Sequence, residues 1–118
     1  MILATVVVDY NSGNLHSAKK SFQKVASELH LGEVIISSHA DEIAHADRII
    51  LPGVGSFNSC KRELLKVSGV YEAIEHCVIT QGRPLLGICV GHQLLATTGF
   101  ENKVSTQGFD WVPGKVLK

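Results

Sequence analysis

The segment PLLGICVGHQLL, residues 84 to 95, places a cysteine between two glycines where a strand pattern gives way to a helix pattern. Gly87 and Gly91 lie two positions before and two after Cys89, which is the spacing of a nucleophile elbow with sulfur in place of oxygen. Such a tight turn brings the two flanking positions together, and glycine avoids the clash of their side chains. The segment therefore predicts an exposed thiol at a strand-to-helix turn.

Strand and helix patterns alternate along the rest of the sequence. The β-branched run at residues 4–8 predicts a buried strand, and further strands are predicted at residues 34–36, 48–51 and 85–88. Three- and four-residue periodicity predicts helices at residues 15–29, 59–66, 70–80 and 90–97. A polar segment separates the second and third strands, residues 101–108 are expected to form a polar loop, and a further strand begins at Lys115. This alternation predicts an α/β fold with a mostly parallel sheet and helices on both faces.

Three turn segments follow strands of this predicted sheet, at residues 9–14, 52–55 and 89–93. Ligands of parallel sheets bind beyond the carboxyl ends of the strands, so we expect these segments on one rim. There the backbone of Gly53 and Val54 and the N–H of Val90 could stabilise an oxyanion beside Cys89. An ordinary glycine turn around a buried cysteine is the alternative interpretation. Two glycine loops on one rim favour acyl transfer.

Composition and charge argue against several other classes of function. The formal net charge is zero, whereas a nucleic-acid-binding protein usually carries a basic excess. The apolar start is interrupted at Asp9, which makes it too short for a membrane span. The sequence has an odd number of cysteines, and the three, Cys60, Cys77 and Cys89, lack metal-ligand spacing. We therefore expect a reducing, cytoplasmic compartment and no disulfide framework. Neither a metal nor a cofactor is predicted.

Four sequence blocks, taken together and in this order, resemble the class I (triad-type) glutamine amidotransferases. The blocks are DYNSGN (residues 9–14), ADRIILPGVGSF (46–57), GRPLLGICVGHQLL (82–95) and WVPGKV (111–116). Within this class the sequence is most similar to the glutaminase subunits of imidazole glycerol phosphate synthase, which act in histidine biosynthesis. The resemblance implies a flavodoxin-like fold, with residues 1–118 forming the N-terminal portion of a single amidotransferase domain.

The resemblance also implies an activity and the residues that carry it. A cysteine attacks the side-chain amide of glutamine, and the ammonia released is used by a partner cyclase subunit. Positions that match the family's motifs are Cys89 as the nucleophile, Gly53, Val54 and Val90 in the oxyanion hole, Gln93 and Glu101 in substrate binding, and Asn11, Ser12, Gly13 and Asn14 in the loop that faces the cyclase.

The sequence departs from the subfamily pattern at two positions. His92 stands where methionine is common, and Asn11 stands where glycine is usual, so another class I amidotransferase stays open as an alternative. No segment up to Lys118 matches the family's catalytic histidine and its orienting glutamate. A catalytically incomplete fragment or remnant that acts only as a binding module is therefore a second alternative. A peptidase- or chaperone-like protein with a similar cysteine elbow is a third, and it would need its own nearby histidine.

The histidines of this sequence are predicted to have ordinary roles. His92 follows Cys89 by three residues on the same predicted helix, and we expect it to be a polar packing residue rather than the base. His39 and His45, with Asp41 and Asp47, could suggest a metal site, but the segment is short and polar. A solvated loop is the preferred interpretation of that segment.

Overall fold

A four-stranded parallel sheet forms the centre of the protein, as the computed structural model shows for residues 4–11, 15–30, 32–101 and 103–117. Its strands are β1 (Ala4–Val8), β2 (Glu33–Ser37), β3 (Arg48–Leu51) and β4 (Leu85–Gly87), in the order β2-β1-β3-β4. The central strand β1 carries three consecutive valines that are almost fully buried, as expected for a strand covered on both faces. The predicted parallel sheet is confirmed.

Helices cover both faces of this sheet. They are α1 (Leu15–Glu28), α2 (Ala40–Ala44), α3 (Phe57–Lys66), α4 (Val70–Glu75), which continues as a π-helical segment (His76–Thr80), and α5 (Val90–Gln93). Ala26 of α1 packs with Val7 and Ile50 on one face. On the other face Val6 and Val8 share a core with residues of α2, α3 and α4. Successive strand residues point to opposite faces, so one valine run supplies both cores.

A second sheet follows α5, and the sequence patterns predicted only its last strand: the strand expected from Lys115 is confirmed and begins earlier, at Val112. It contains β5 (Ala96–Glu101), β6 (Val104–Gln107) and β7 (Val112–Leu117), in the order β6-β5-β7. β5 pairs antiparallel with β6 and parallel with β7. The predicted helix at residues 90–97 is therefore wrong beyond Gln93, and the predicted loop at 101–108 is wrong because most of it is strand.

Backbone hydrogen bonds explain why α5 ends after one turn. The Leu94 carbonyl accepts from the Phe109 N–H at 2.8 Å, and the Leu95 carbonyl accepts from the N–H groups of Trp111 and Val112 at 3.0 and 2.9 Å. In a longer helix these carbonyls would accept from residues four positions ahead. The segment leading into β7 takes them instead, so tertiary pairing overrides the local helical periodicity.

The polar segment between β2 and β3 also differs from the prediction. It contains the short helix α2, where a solvated loop was expected. Ile43 is the reason, because this apolar side chain is fully buried in the larger core. One anchoring residue is too little to give a detectable periodicity in the sequence.

Candidate active site

Cys89 lies at the turn between β4 and α5 with an unusual backbone conformation. Its φ and ψ are 53° and −121°, and its side chain is exposed. A non-glycine residue with positive φ is strained, and such strain is held in place by the surrounding structure. The exposed thiol on a strained strand-to-helix turn agrees with the predicted elbow and excludes a thiol packed in the core.

The flanking glycines are required by close contacts. A Cβ on Gly91 would lie 1.9 Å from the carbonyl oxygen of Leu51, and one on Gly87 would lie 2.6 Å from the Cα of His92. Both distances are far shorter than any real contact of a Cβ atom, so only glycine fits at either position. The two glycines thus allow β4, the turn and the end of β3 to pack against one another.

The turn segments after β1, β3 and β4 meet on one rim of the sheet, as predicted. The hydroxyl of Tyr10, after β1, donates to the carbonyl of Pro52, after β3. The N–H of Val90, after Cys89, donates to the carbonyl of Gly53 at 3.2 Å. A Cβ on Gly53 would lie 2.7 Å from both the Tyr10 hydroxyl and the Gly91 nitrogen. Gly53 therefore lies between the other two segments.

One predicted oxyanion donor, the Val90 N–H, is already engaged by the glycine loop in this conformation. The Val90 N–H is occupied by the Gly53 carbonyl. A substrate oxyanion therefore cannot use this donor until the Gly53 carbonyl moves away. The helix behind Cys89 has only four residues, so its dipole is smaller than the predicted longer helix would supply.

Gln93 and Glu101 lie in two separate cavities. Glu101 accepts a hydrogen bond from the Phe57 N–H at 3.4 Å and, with Ser56, Asn58 and Val104, lines an open cavity of about 230 Å³. Gln93 lines another cavity, of about 130 Å³, together with Val112. The Glu101 carboxylate of β5 thus lies beside the start of α3, which follows the glycine loop. The side chains of Gln93 and Glu101 do not line the same cavity.

Asn11 has a conformation that explains why it can replace glycine. Its φ is 66°, in the left-handed region that asparagine tolerates better than most residues. Its N–H donates to the carboxylate of Asp9 at 3.3 Å. Its side chain reaches the Glu63 carboxylate on α3. Hydrogen bonds to that carboxylate, first from Lys66 and second from Asn11, lower the pKa of Glu63. Ser12, Gly13 and Asn14 lie outside the described residues.

No base is found next to the nucleophile in the described part of the chain. No hydrogen bond among residues 4–11, 15–30, 32–101 and 103–117 joins the Cys89 thiol to a histidine ring, and the His92 side chain is exposed. Within the same ranges, no group of three or more histidine, cysteine or carboxylate side chains could hold a metal ion. None of the described helices is long and apolar enough to cross a membrane.

Two residues of the rim were not singled out from the sequence. Tyr10 is almost fully buried, and its hydroxyl contacts the glycine loop. Cys60 is also buried, and its thiol donates to the Val54 carbonyl at 3.2 Å. The available signal for Tyr10 was its position, two residues after the predicted first strand and therefore on the rim. Nothing in the sequence distinguishes Cys60 from a cysteine that only packs.

Comparison with known proteins identifies the class to which this fold and elbow belong. Residues 6–110 match the profile of the family described as glutamine amidotransferase class-I. Because this match covers most of the 118 residues, the chain belongs to this family.

Individual relatives narrow the similarity further. The chain is 49% identical to the imidazole glycerol phosphate synthase subunit HisH of Cereibacter sphaeroides and 51% identical to that of Ruegeria pomeroyi, in both cases over 98% of its own length. It is 48% identical to the corresponding subunit of Caulobacter vibrioides over 95% of its length. The chain spans about half the length of these relatives, 54% of the first two and 52% of the third.

Proposed function

We propose that this chain carries the nucleophile half of a glutaminase site that supplies ammonia to an imidazole glycerol phosphate synthase. The strained, exposed Cys89 between two glycines that cannot be replaced is the observation on which the proposal rests. The similarity to HisH subunits supports the choice of glutamine as substrate and of a cyclase subunit as partner. The free cysteines support a reducing compartment such as the cytoplasm.

The proposed reaction is a two-step acyl transfer. The Cys89 thiolate attacks the side-chain amide carbon of glutamine, the C–N bond breaks, and the nitrogen takes up a proton and leaves as ammonia. Water then attacks the glutamyl thioester, which releases glutamate and returns the thiol. Both steps pass through a tetrahedral intermediate whose oxygen carries negative charge, so both need hydrogen-bond donors beside Cys89.

The glycine loop would supply those donors by rotation of one peptide. The Gly53 carbonyl now occupies the Val90 N–H. Turning the peptide between Gly53 and Val54 would remove this carbonyl and direct the Val54 N–H toward the same space. Two backbone donors would then face the oxyanion. We propose that the conformation described here is the one that precedes this rotation.

The substrate and partner contacts are proposals of the same kind. Gln93 and Glu101 would bind glutamine, with the Glu101 carboxylate near the start of α3 available to pair with the substrate's α-amine. Because these two residues line different cavities, they would contact different parts of one glutamine molecule. Asn11, with Ser12, Gly13 and Asn14, would face the cyclase.

The proton carrier is the part of the mechanism that the described residues do not provide. We propose that it lies in the portion of HisH-like proteins that this chain does not match, since the chain spans about half of those relatives. A binding module without glutaminase activity is the second candidate. The absence of a hydrogen bond between Cys89 and a histidine within the described residues favours it.

The test compares glutamine with free ammonia as the nitrogen source for the complete protein assayed with its cyclase. We expect Cys89→Ala to lower glutamine-dependent turnover by at least about 10³-fold, because the nucleophile is lost, and to leave ammonia-dependent turnover unchanged. Cys77→Ser, which changes a buried cysteine remote from the elbow, is the control and should retain both activities. Unchanged glutamine turnover in Cys89→Ala would refute Cys89 as the nucleophile, and a complete protein that uses ammonia but not glutamine before any substitution would favour the binding module.

A further inference from the structure

Three consecutive carbonyls of the glycine loop accept hydrogen bonds from three different elements. The Pro52 carbonyl accepts from the Tyr10 hydroxyl, the Gly53 carbonyl from the Val90 N–H, and the Val54 carbonyl from the Cys60 thiol. The donors come from the end of β1, the start of α5 and the middle of α3. Each peptide of the loop is thus held from a different direction.

The two outer bonds differ from the central one in how they can open. Tyr10 and Cys60 are each 1% exposed, so their donors stay in place and water does not replace them easily. The central donor is the backbone N–H of Val90, a buried residue next to the exposed Cys89, and the peptide that it holds leads into Val54, which is 59% exposed. The peptide between Gly53 and Val54 is therefore the one that can rotate while its neighbours remain held.

We propose that Tyr10 and Cys60 are positioning residues that clamp the Pro52 and Val54 carbonyls, so that only the Gly53–Val54 peptide turns when the oxyanion hole forms. Neither side chain contacts the reacting atoms in this role. The inference rests on the proposed function, because it assigns the two residues to the same oxyanion site. Without the clamps the loop would sample more orientations, and fewer of them would direct the Val54 N–H at the oxyanion.

Two pairs of variants test the clamp in the complete protein with its cyclase, with L-glutamine as substrate. Tyr10→Phe and Cys60→Ala remove the clamping donors. Tyr71→Phe removes a hydroxyl that donates to the surface carboxylate of Glu75, and Cys77→Ala removes a buried thiol that donates to the Ala46 carbonyl. These two are the matched controls, because each loses the same chemical group away from the loop.

We expect each clamp variant to lower kcat for glutamine by about five- to tenfold, the loss that corresponds to one hydrogen bond, while KM changes by less than roughly twofold. Ammonia-dependent turnover and the rate of Cys89 alkylation by iodoacetamide should stay unchanged, because neither needs the oxyanion hole. A clamp variant that behaves like its control would overturn the proposal. So would a loss of kcat accompanied by an equal loss of alkylation rate, since that would indicate general damage to the elbow.

Amide hydrogen exchange tests the clamp without reference to activity. In Tyr10→Phe and Cys60→Ala the Val90 amide should exchange about five- to tenfold faster than in the control variants, relative to the amides of β1, because the Gly53 carbonyl is held less firmly. Equal exchange in all four variants would contradict the clamp. Glutamine turnover that is independent of Cys89 would refute the proposed function, and the exchange data would still decide whether the clamp exists.

Discussion

Gly91 shows how strongly single residues constrain the elbow. A Cβ atom on Gly91 would overlap the Leu51 carbonyl oxygen, and the backbone of β3 cannot move away without breaking its pairing with β4. Gly82 offers a contrast, because it needs a positive φ of 69° but has open space around its Cα. The two glycines therefore separate a steric requirement from a conformational one.

Gly91→Ala should lower the free energy of unfolding by about 3 kcal/mol or more, because the added methyl group overlaps a backbone carbonyl. Gly82→Ala should cost only about 1 kcal/mol, the strain of an L-residue in the left-handed region. Urea denaturation of both variants at one pH measures the two losses. Equal losses would mean that the contact with Leu51 is not required.

The π-helical segment after α4 is an element held in place by one buried thiol. It carries Cys77, whose side chain is fully buried and whose thiol donates to the Ala46 carbonyl at 3.3 Å. This bond ties the segment to the chain between α2 and β3. Burial raises the pKa of the Cys77 thiol, and Arg83 opposes the shift while Asp47 adds to it. The packing of the element therefore depends on the thiol staying protonated.

The free energy of unfolding should fall as the pH rises above the usual thiol pKa of about 8.5. Below that value the thiol is protonated in both states and its contribution is complete. Above it the unfolded chain loses the proton first, and stability declines until the folded thiol also ionises. Cys77→Ser keeps a donor for Ala46 but does not ionise in this range. A series of urea denaturations at increasing pH should give a flatter curve for this variant, and identical slopes would contradict the assignment.

At the scale of the whole molecule, β2 and β4 form the two edges of the parallel sheet, and no other strand of the described residues pairs with either of them. β4 is an edge strand, and Leu86 within it is 48% exposed. Beside it lies an apolar cavity of about 210 Å³ between α1 and the sheet. Its apolar lining includes Phe22, Val25, Val34, Ile50, Pro84 and Leu86. Unpaired apolar edges promote association between chains.

The 118-residue chain studied by itself should self-associate as its concentration rises, and Leu86→Lys should reduce that association because a charge on an edge strand opposes pairing. Leu65→Lys is the matched control, since Leu65 is 55% exposed on α3, away from the edge. Sedimentation velocity over a range of concentrations measures the association. An equal effect of the two lysines would show that net charge, and not the edge of β4, controls it.

Local sequence pattern was enough to predict the features that depend on neighbouring residues. Three of the four parallel strands follow from β-branched runs and β4 from a short apolar run, α1 follows from its periodicity, and the Cys89 elbow follows from the spacing of two glycines. Each of these is set by residues close together in the chain.

Other features depend on partners that are distant in the sequence, and they became visible only in the folded chain. These are the end of α5 and the sheet of β5, β6 and β7, which depend on carbonyls taken by residues 109–112, and the placement of Gln93 and Glu101 in separate cavities. The contacts of Tyr10 and Cys60 with the glycine loop belong to the same group, because hydrogen bonds between remote segments leave no periodic trace in a sequence.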